Sequence, residues 1–291
     1  MLETLTTYPV TRTKVIALKK ALPNFTDSSG QRLQKLLSPM GRIHYLIDTN
    51  QLDQAMDELG AVQAWPQAKA LLGQAQLLKG AELIHLGELE TALDMLEKAR
   101  SNGADIKPLT DQIVELSIKF SKNNMDQLNA VTDEKNLGTI FGKGVATLER
   151  VRKLIGDEPR LCSELAASLV WQFRFTLKAG KKDEADKLIQ RAFALSPNDS
   201  NIREAYHIYL HNRGVEYANA SRYDQAITEL LAALKIKDSA DTRKTIAQCY
   251  TIRGVKKANS YDRYGAKIDL DLALKYDPYN PDIRRLRNQL P

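Results

Sequence analysis

The apolar residues of this chain recur with helical spacing, and one arrangement of them returns several times. It consists of a small residue, a bulky apolar residue four positions later, and a second small or β-branched residue three positions after that. Spacings of four and three return to one side of an α-helix, so each set marks one helical face. The five sets are Ala55, Leu59 and Val62; Ala92, Leu96 and Ala99; Ala185, Ile189 and Ala192; Ala226, Leu230 and Ala233; and Ala266, Leu270 and Ala273.

These sets predict pairs of closely packed helices. Two helices that cross at short distance need small side chains where their backbones approach and large apolar side chains around that point. Each set follows another apolar-periodic segment and a short turn, such as Thr49-Asn50 or Ala179-Gly180-Lys181. One repeating unit is therefore a helix, a tight turn and a second helix. Such a hairpin cannot bury its apolar face alone, so successive hairpins must stack.

The repeated positions resemble the tetratricopeptide repeat family. Its pattern asks for a small and then a large residue on the first helix, two small residues on the second helix, and a closing proline. The residues that follow this pattern are Gly80, Leu83, Ala92 and Ala99; Ala185, Ala192 and Pro197; Gly214, Tyr217, Tyr223, Ala226 and Ala233; and Gly254, Ala266, Ala273 and Pro278. The resemblance covers roughly residues 36–106 and 166–289.

Some positions depart from the family pattern. Phe173 stands where a glycine or alanine is expected, Lys257 where an aromatic residue is expected, and Asp238 where the proline is expected. Within each half of the chain, the first members of consecutive sets lie 37 to 41 residues apart, whereas the family repeat is about 34 residues long. We therefore expect longer helices or turns in this chain.

The resemblance implies an all-α fold, namely a right-handed superhelical solenoid of antiparallel helix hairpins. We divide the chain into an N-terminal extension that is irregular or a short helix, two hairpins, one or two degenerate helical hairpins that join the halves, and three hairpins followed by a capping helix. The corresponding segments are residues 1–30, 31–106, 107–165 and 166–291.

Composition adds little to this prediction. Apolar residues make up 43% and charged residues 27% of the chain, which is close to a soluble globular average. Cys162 and Cys249 lie in helical apolar patterns without metal-ligand spacing, so we expect neither a disulfide scaffold nor a zinc site. The apolar run Val15-Ile16-Ala17-Leu18 is too short for a signal-peptide core or a membrane span. We expect a cytoplasmic protein without membrane attachment.

Charge is distributed unequally along the chain. Residues 1–165 hold 20 Lys and Arg against 21 Asp and Glu, a net charge of −1; residues 166–291 hold 22 against 15, a net charge of +7. The basic C-terminal half favours an acidic partner, although a set of solvated helix faces accounts for the same count.

The search for catalytic chemistry yields one weak candidate. His207 and His211 lie four residues apart, with Glu204 three residues before them, which places possible metal ligands on one helical face. There is no third-ligand motif, so we assign these histidines to the surface or a groove and expect no metal and no cofactor. Since no phosphate-binding glycine loop, nucleophile elbow or dinucleotide fingerprint occurs, we also expect no enzymatic activity.

The family resemblance places the first helix of each hairpin on a concave binding surface. Amide side chains donate and accept hydrogen bonds at once, so they suit a peptide backbone, and cations would bind an acidic side chain or a terminal carboxylate. The predicted partner-binding residues are Arg174, Lys178, His211, Asn212, Asn219, Gln248, Thr251 and Asn259. The family's carboxylate clamp for chaperone tails is matched here only by Asn212, so we do not predict that clamp.

The sequence thus predicts a protein–protein interaction scaffold or adaptor that binds a partner peptide or subunit, with an acidic partner favoured. The alternative is a regulatory or sensor module whose basic C-terminal half binds an acidic ligand or nucleic acid. Single-strand binders interleave cations with stacking aromatic residues on one surface. Here the tyrosines recur mostly at packing positions, which favours a core role; they are Tyr206, Tyr209, Tyr217, Tyr223 and Tyr250.

Overall fold

The fold is taken from a computed structural model that describes residues 39–62, 65, 67–130 and 134–290. For residues 125–130 and 134–141 the backbone alone is described. The predicted N-terminal extension, residues 1–30, lies outside the described residues, as does the apolar run that begins at Val15.

The described part of the chain contains thirteen α-helices and no strand. They are α1 Pro39–Asp48, α2 Leu52–Ala61, α3 Ala68–Leu86, α4 Leu89–Ser101, α5 Thr110–Ala130, α6 Glu134–Ile155, α7 Pro159–Lys178, α8 Lys182–Leu195, α9 Ser200–Asn219, α10 Tyr223–Ile236, α11 Ala240–Asn259, α12 Arg263–Tyr276 and α13 Pro281–Asn288. A 3₁₀ turn, Lys107–Leu109, precedes α5. The prediction of an all-α fold built from helix hairpins is confirmed.

Five hairpins, α1–α2, α3–α4, α7–α8, α9–α10 and α11–α12, join a first helix, which we call the A helix, to a second, the B helix. In the last four of them the A helix is the longer. The A helices α3, α7, α9 and α11 have 19, 20, 20 and 20 residues. The B helices α4, α8, α10 and α12 have 13, 14, 14 and 14 residues.

Each turn from an A helix to its B helix contains one residue in the left-handed conformation. These residues are Asn50 (φ 59°), Gly87 (φ 83°), Gly180 (φ 78°), Ser221 (φ 59°) and Tyr261 (φ 65°). Each precedes the first member of its small-residue set by five positions. The turn therefore fixes the register with which the B helix returns along the A helix.

The small-residue sets lie in the helix contacts, as predicted. All their members except Val62 are at most 2% exposed. Val62 is only half-buried because α2 ends at Ala61 and Val62 is its C-cap residue. The prediction that Val62 completes a helical set is therefore wrong.

Glycines on two A helices allow the closest approach of a B helix. A Cβ added at Gly80 would lie 2.6 Å from Leu96, and one added at Gly214 would lie 2.6 Å from Leu230. Phe173, which departs from the family pattern at this position, is buried, and its ring meets that of Tyr209 edge-on with centroids 5.2 Å apart.

The described helices group into two compact units, each with its own apolar core. The first takes in the described residues of Met1–Ala130 and Ala146–Leu161. In its core α1, α2 and α3 pack through residues that include Ile43, Leu46 and Leu59. Within this unit, Arg100 of α4 donates hydrogen bonds to the carbonyl oxygens of Lys153 and Leu154 at 2.9 and 2.8 Å.

The second unit takes in the described residues of Val131–Val145 and Cys162–Pro291. Its core joins α10, α11, α12 and α13 through residues that include Leu230, Ile246 and Leu270. Side chains cap four of its helices at their N-termini, where Asp199, Ser239, Asp262 and Asn280 accept hydrogen bonds from backbone N–H groups. The predicted division at residues 31, 107 and 166 stays a prediction.

No helix within the described ranges combines the length and the apolar character that crossing a bilayer requires.

Candidate functional site

A surface cleft of about 630 Å³ lies in the second unit between α7 and α9, the A helices of consecutive hairpins. We call it the α7–α9 cleft. Its lining residues are Phe173, Arg174, Leu177, Lys182, Asp183, Asp186, Ala205, Ile208, Tyr209, Asn212, Arg213, Glu216, Tyr217, Ala220 and Arg222. Ile208, Asn212 and Glu216 are spaced by one helical turn, so they form one row along α9.

Two large apolar side chains are exposed in the cleft. Ile208 is 48% and Leu177 is 37% exposed. Trp171, one turn before Arg174 on α7, is 46% exposed. Apolar surface that stays exposed to water lowers its free energy when another molecule covers it.

The polar groups of the cleft are held by a network around Arg213. Its guanidinium donates to Asp186 at 2.8 Å and to Glu229 at 2.6 Å, and it lies 5.1 Å from the centroid of the Tyr209 ring. The Tyr209 hydroxyl donates to the same Asp186 oxygen at 3.0 Å. Burial, followed by the hydrogen bond to Asp186, raises the pKa of Tyr209 to about 12. Tyr209 therefore keeps its proton, and this hydrogen bond, at neutral pH.

The charges at the rim are partly neutralised. Lys182 pairs with Glu216 at 2.7 Å. The Arg174 guanidinium lies over the Trp171 ring at 5.2 Å from its centroid. Arg174, Arg222 and Asp183 form no ion pair with the described residues.

Two of the predicted partner-binding residues, Arg174 and Asn212, meet in this cleft. The other six lie on the A helices α7, α9 and α11 but do not line it: Lys178, His211, Asn219, Gln248, Thr251 and Asn259. Lys178, Asn219, Gln248 and Asn259 are exposed, whereas His211 and Thr251 are half-buried. The Thr251 hydroxyl donates to the carbonyl oxygen of Ala247 at 2.7 Å.

The two histidines of α9 are engaged in packing contacts. Nδ1 of His207 lies 3.0 Å from the Ala233 carbonyl oxygen, and Nδ1 of His211 lies 3.0 Å from the Thr242 hydroxyl oxygen. Burial, and then the proximity of His207, lowers the pKa of His211. The Glu204 carboxylate bonds Lys237 at 2.6 Å instead of facing the imidazoles. Among the described residues no cluster of three or more His, Cys, Asp or Glu could hold a metal ion.

Sequence reasoning missed Ile208, Leu177 and Trp171. For Trp171 alone, a signal was available in the repeat register. Trp171, Asn212 and Ile252 each lie two residues before the Phe173, Gly214 or Gly254 position, and all three are exposed. The core role favoured for the tyrosines does not describe Tyr209 and Tyr217 fully, because both are only partly buried and line the cleft.

Many cations of the basic C-terminal half lie in ion pairs within the second unit. The pairs are Lys181–Glu184, Lys182–Glu216, Arg213–Asp186 and Glu229, Lys237–Glu204, Arg243–Asp238, Arg253–Asp224 and Asp269, Lys257–Asp269, Arg285–Asp282 and Arg287–Asp271. These cations are therefore already engaged with carboxylates of their own unit.

No family model matches the chain, and no curated protein sequence matches it. Solved structures with a similar helical arrangement include the Cut9–Hcn1 hetero-tetramer of APC/C, at 15% identity and a TM-score of 0.24, with 96% of this chain and 46% of that chain covered. The chain thus spans less than half the length of that protein.

Two further similar structures are of tetratricopeptide repeat proteins. The P58(IPK) TPR domain has 13% identity and a TM-score of 0.25, covering 96% of this chain and 95% of that chain. A thermophilic TPR protein of Thermus thermophilus has 18% identity and a TM-score of 0.21, covering 75% and 98%. Likenesses of this size add nothing to what the helices themselves show. The resemblance to tetratricopeptide repeats therefore rests on the hairpins, their turns and their buried small residues.

Proposed function

We propose that this protein is a non-enzymatic interaction scaffold that binds a peptide segment of a partner protein in the α7–α9 cleft. The observation that carries the proposal is the exposure of Ile208 and Leu177 beside Asn212 between two consecutive A helices. The row runs from Ile208 to Ala220, the residue that follows α9, over twelve residue steps, or about 18 Å at 1.5 Å per residue. That length accommodates about five residues of an extended peptide.

Different side chains of the cleft would bind different parts of the peptide. Ile208 and Leu177 would bury an apolar side chain of the peptide, and the Asn212 amide would donate to and accept from its backbone. The contacts of Arg213 with Asp186 and Glu229 hold the polar groups of the cleft in place before any peptide binds. Such preorganisation lowers the entropy lost on binding.

The alternative, an electrostatic module for an acidic ligand or nucleic acid, has less support. It needs a basic surface whose cations are available, and it predicts a steep loss of affinity with added salt. Arg213, Arg253 and Lys182 are instead paired with carboxylates of their own unit. Retention of binding at high salt would separate the peptide scaffold from this alternative.

Selection of a random twelve-residue peptide library on the immobilised full chain tests the proposal. The affinity of an enriched peptide is then compared between the wild type and Ile208→Asp. The matched control is Ile268→Asp on the B helix α12, because Ile268 is also exposed, at 42%, and lies outside the cleft. We expect Ile208→Asp to weaken binding at least about tenfold and Ile268→Asp to leave it unchanged. No enriched peptide, or equal losses in both variants, would contradict the proposal.

A further inference from the structure

We infer that the segment bound in the α7–α9 cleft is acidic as well as apolar, with a bulky apolar side chain flanked by carboxylates. This inference rests on the proposed function and adds the chemistry of the partner to it. Its basis is the position of two guanidinium groups in the cleft that have no ion pair with the described residues.

The internal pairs remove most of the charge from the cleft. The Lys182 ammonium is neutralised by Glu216, and Arg213 by Asp186 and Glu229. Two guanidinium groups, those of Arg174 and Arg222, and one carboxylate, that of Asp183, are left without an ion pair in the described part of the chain. The groups available to pair with a ligand are therefore two cations and one anion, whereas Arg213 with its two carboxylates carries a formal charge of −1.

The placement of these groups sets the order of features in the ligand. Arg174 lies one turn before Leu177 on α7, so a carboxylate bound there has the apolar surface beside it. Arg222 lies in the turn that follows α9, beyond Ala220 at the end of the Ile208 row. A ligand that runs along this row therefore meets apolar surface at Ile208 and Leu177, and a guanidinium group near each of its ends.

Guanidinium groups favour carboxylates over ammonium groups in two ways. They bind a carboxylate through two parallel N–H donors, which adds geometric selectivity to charge. Like charges in the ligand would instead face Arg174 and Arg222 across the cleft and weaken binding. A basic apolar segment is thus disfavoured even though it would fill the same apolar surface.

Trp171 supplies a local readout of this chemistry. The chain contains two tryptophans, and the other, Trp65, lies in the first unit. In the Trp65→Phe variant of the full chain, all tryptophan fluorescence comes from Trp171, over which the Arg174 guanidinium lies. A carboxylate that draws Arg174 away from the ring changes the polarity around the indole and hence its emission.

The test titrates this variant with three synthetic twelve-residue peptides that share one leucine pattern and carry Glu, Gln or Lys at the same flanking positions. We expect the Glu peptide to bind about fivefold more tightly than the Gln peptide and the Lys peptide to bind weakest, since two exposed ion pairs of ordinary strength give a factor of this size. The double change Arg174→Gln and Arg222→Gln should abolish the preference for Glu over Gln while the Gln peptide still binds.

A second double variant, Lys235→Gln and Lys275→Gln, controls for loss of positive charge. Both lysines are exposed in the last turns of the B helices α10 and α12, so the preference for Glu should survive in it. Equal binding of the Glu and Gln peptides, tighter binding of the Lys peptide, no binding of any of the three, or a preference that persists without Arg174 and Arg222 would each overturn the inference. Library peptides that depend on Ile208 but are neutral or basic would overturn it and leave the proposed function intact.

Discussion

Hairpin α3–α4 of the first unit and hairpin α11–α12 of the second reach the same local geometry with different contacts. Both place a glycine on the A helix, at Gly80 and Gly254, twelve residues before the first alanine of the B helix. Both turn through a left-handed residue, Gly87 in one and Tyr261 in the other. The shared features are steric, which indicates that steric constraints fix the hairpin. The charged contacts and the type of the turn residue differ between the two hairpins.

The two hairpins differ most in the ion pairs of the residue that precedes the glycine of the A helix. Lys79, the residue before Gly80, contacts Asp53 at 3.2 Å and Glu82 at 3.3 Å, and the Asp53 side chain is 73% exposed. Arg253, the residue before Gly254, donates two hydrogen bonds to Asp269 at 2.9 and 2.6 Å. The Asp269 side chain is 1% exposed. The second hairpin therefore depends on a buried ion pair where the first has exposed ones.

Arg253→Met should have the largest effect because it leaves the buried Asp269 carboxylate with Lys257 alone. We expect a loss of about 3 kcal/mol in the free energy of unfolding, as for removal of one partner of a buried ion pair. Lys79→Met, the matched change in the first unit, should cost less than about 1 kcal/mol. Urea unfolding of both variants measures the difference. Equal losses in the free energy of unfolding would show that the burial of Asp269 does not increase the cost of removing its partner.

Acid sensitivity gives a second readout of the same contact. Burial alone would raise the pKa of Asp269, but hydrogen bonds from Arg253 and Lys257 outweigh it and lower the pKa below its ordinary value. The stabilisation is therefore complete above the ordinary pKa of about 4 and is lost as pH falls through the lower folded pKa. Asp269→Asn should accordingly lose less stability than the wild type on acidification below about pH 4.

The glycine contacts should give the next largest difference. A Cβ at Gly80 would lie 2.6 Å from Cδ2 and 2.8 Å from Cγ of Leu96, whereas at Gly254 the nearest atoms lie 3.2 Å away. Gly80→Ala should therefore cost about 1–2 kcal/mol through overpacking. Gly254→Ala should be nearly neutral, because the helix propensity of alanine, worth up to about 1 kcal/mol, offsets the mild crowding. Thermal unfolding midpoints rank the two variants, and a larger loss at Gly254 would reverse the comparison.

The turn residues should give the smallest effects, of opposite sign. Tyr261 adopts a φ of 65° and is 90% exposed, so its side chain adds left-handed strain without burial. Tyr261→Gly should stabilise the protein by about 0.5–1 kcal/mol, because glycine removes that strain at some entropic cost. Gly87→Ala should destabilise it by about 1 kcal/mol for the converse reason. Differential scanning calorimetry measures the change in unfolding midpoint of each variant. Changes of the same sign in both variants would contradict the prediction.

The hairpins could be predicted from sequence because their main constraint is local. Ala226, Leu230 and Ala233 report a helical face by spacing alone, and the turn residue five positions earlier completes the register. The prediction for Val62 was wrong because the spacing of apolar residues does not show where a helix ends. The ion pair between Arg213 and Glu229 was not predicted, yet its sixteen-residue separation recurs between Arg253 and Asp269.

The candidate site was only partly accessible to the same reasoning. Arg174 and Asn212 were predicted from the family register, and the structure brings them to one cleft. Ile208 has the apolar spacing of a core residue, and only the packing of the neighbouring hairpin decides that it stays exposed. Whether an apolar residue is buried depends on its own helix face and on the element that packs against that face. A local sequence pattern describes only the helix face.

The central claim, that the α7–α9 cleft receives the partner segment, is tested most directly by methyl NMR of the isoleucine side chains during titration with a library-selected peptide. The account predicts a saturable shift of the Ile208 δ1-methyl signal and no shift of the equally exposed Ile268 signal on α12. An Ile208 signal that stays in place at saturating peptide, while Ile268 or other distant methyl groups shift, would contradict it.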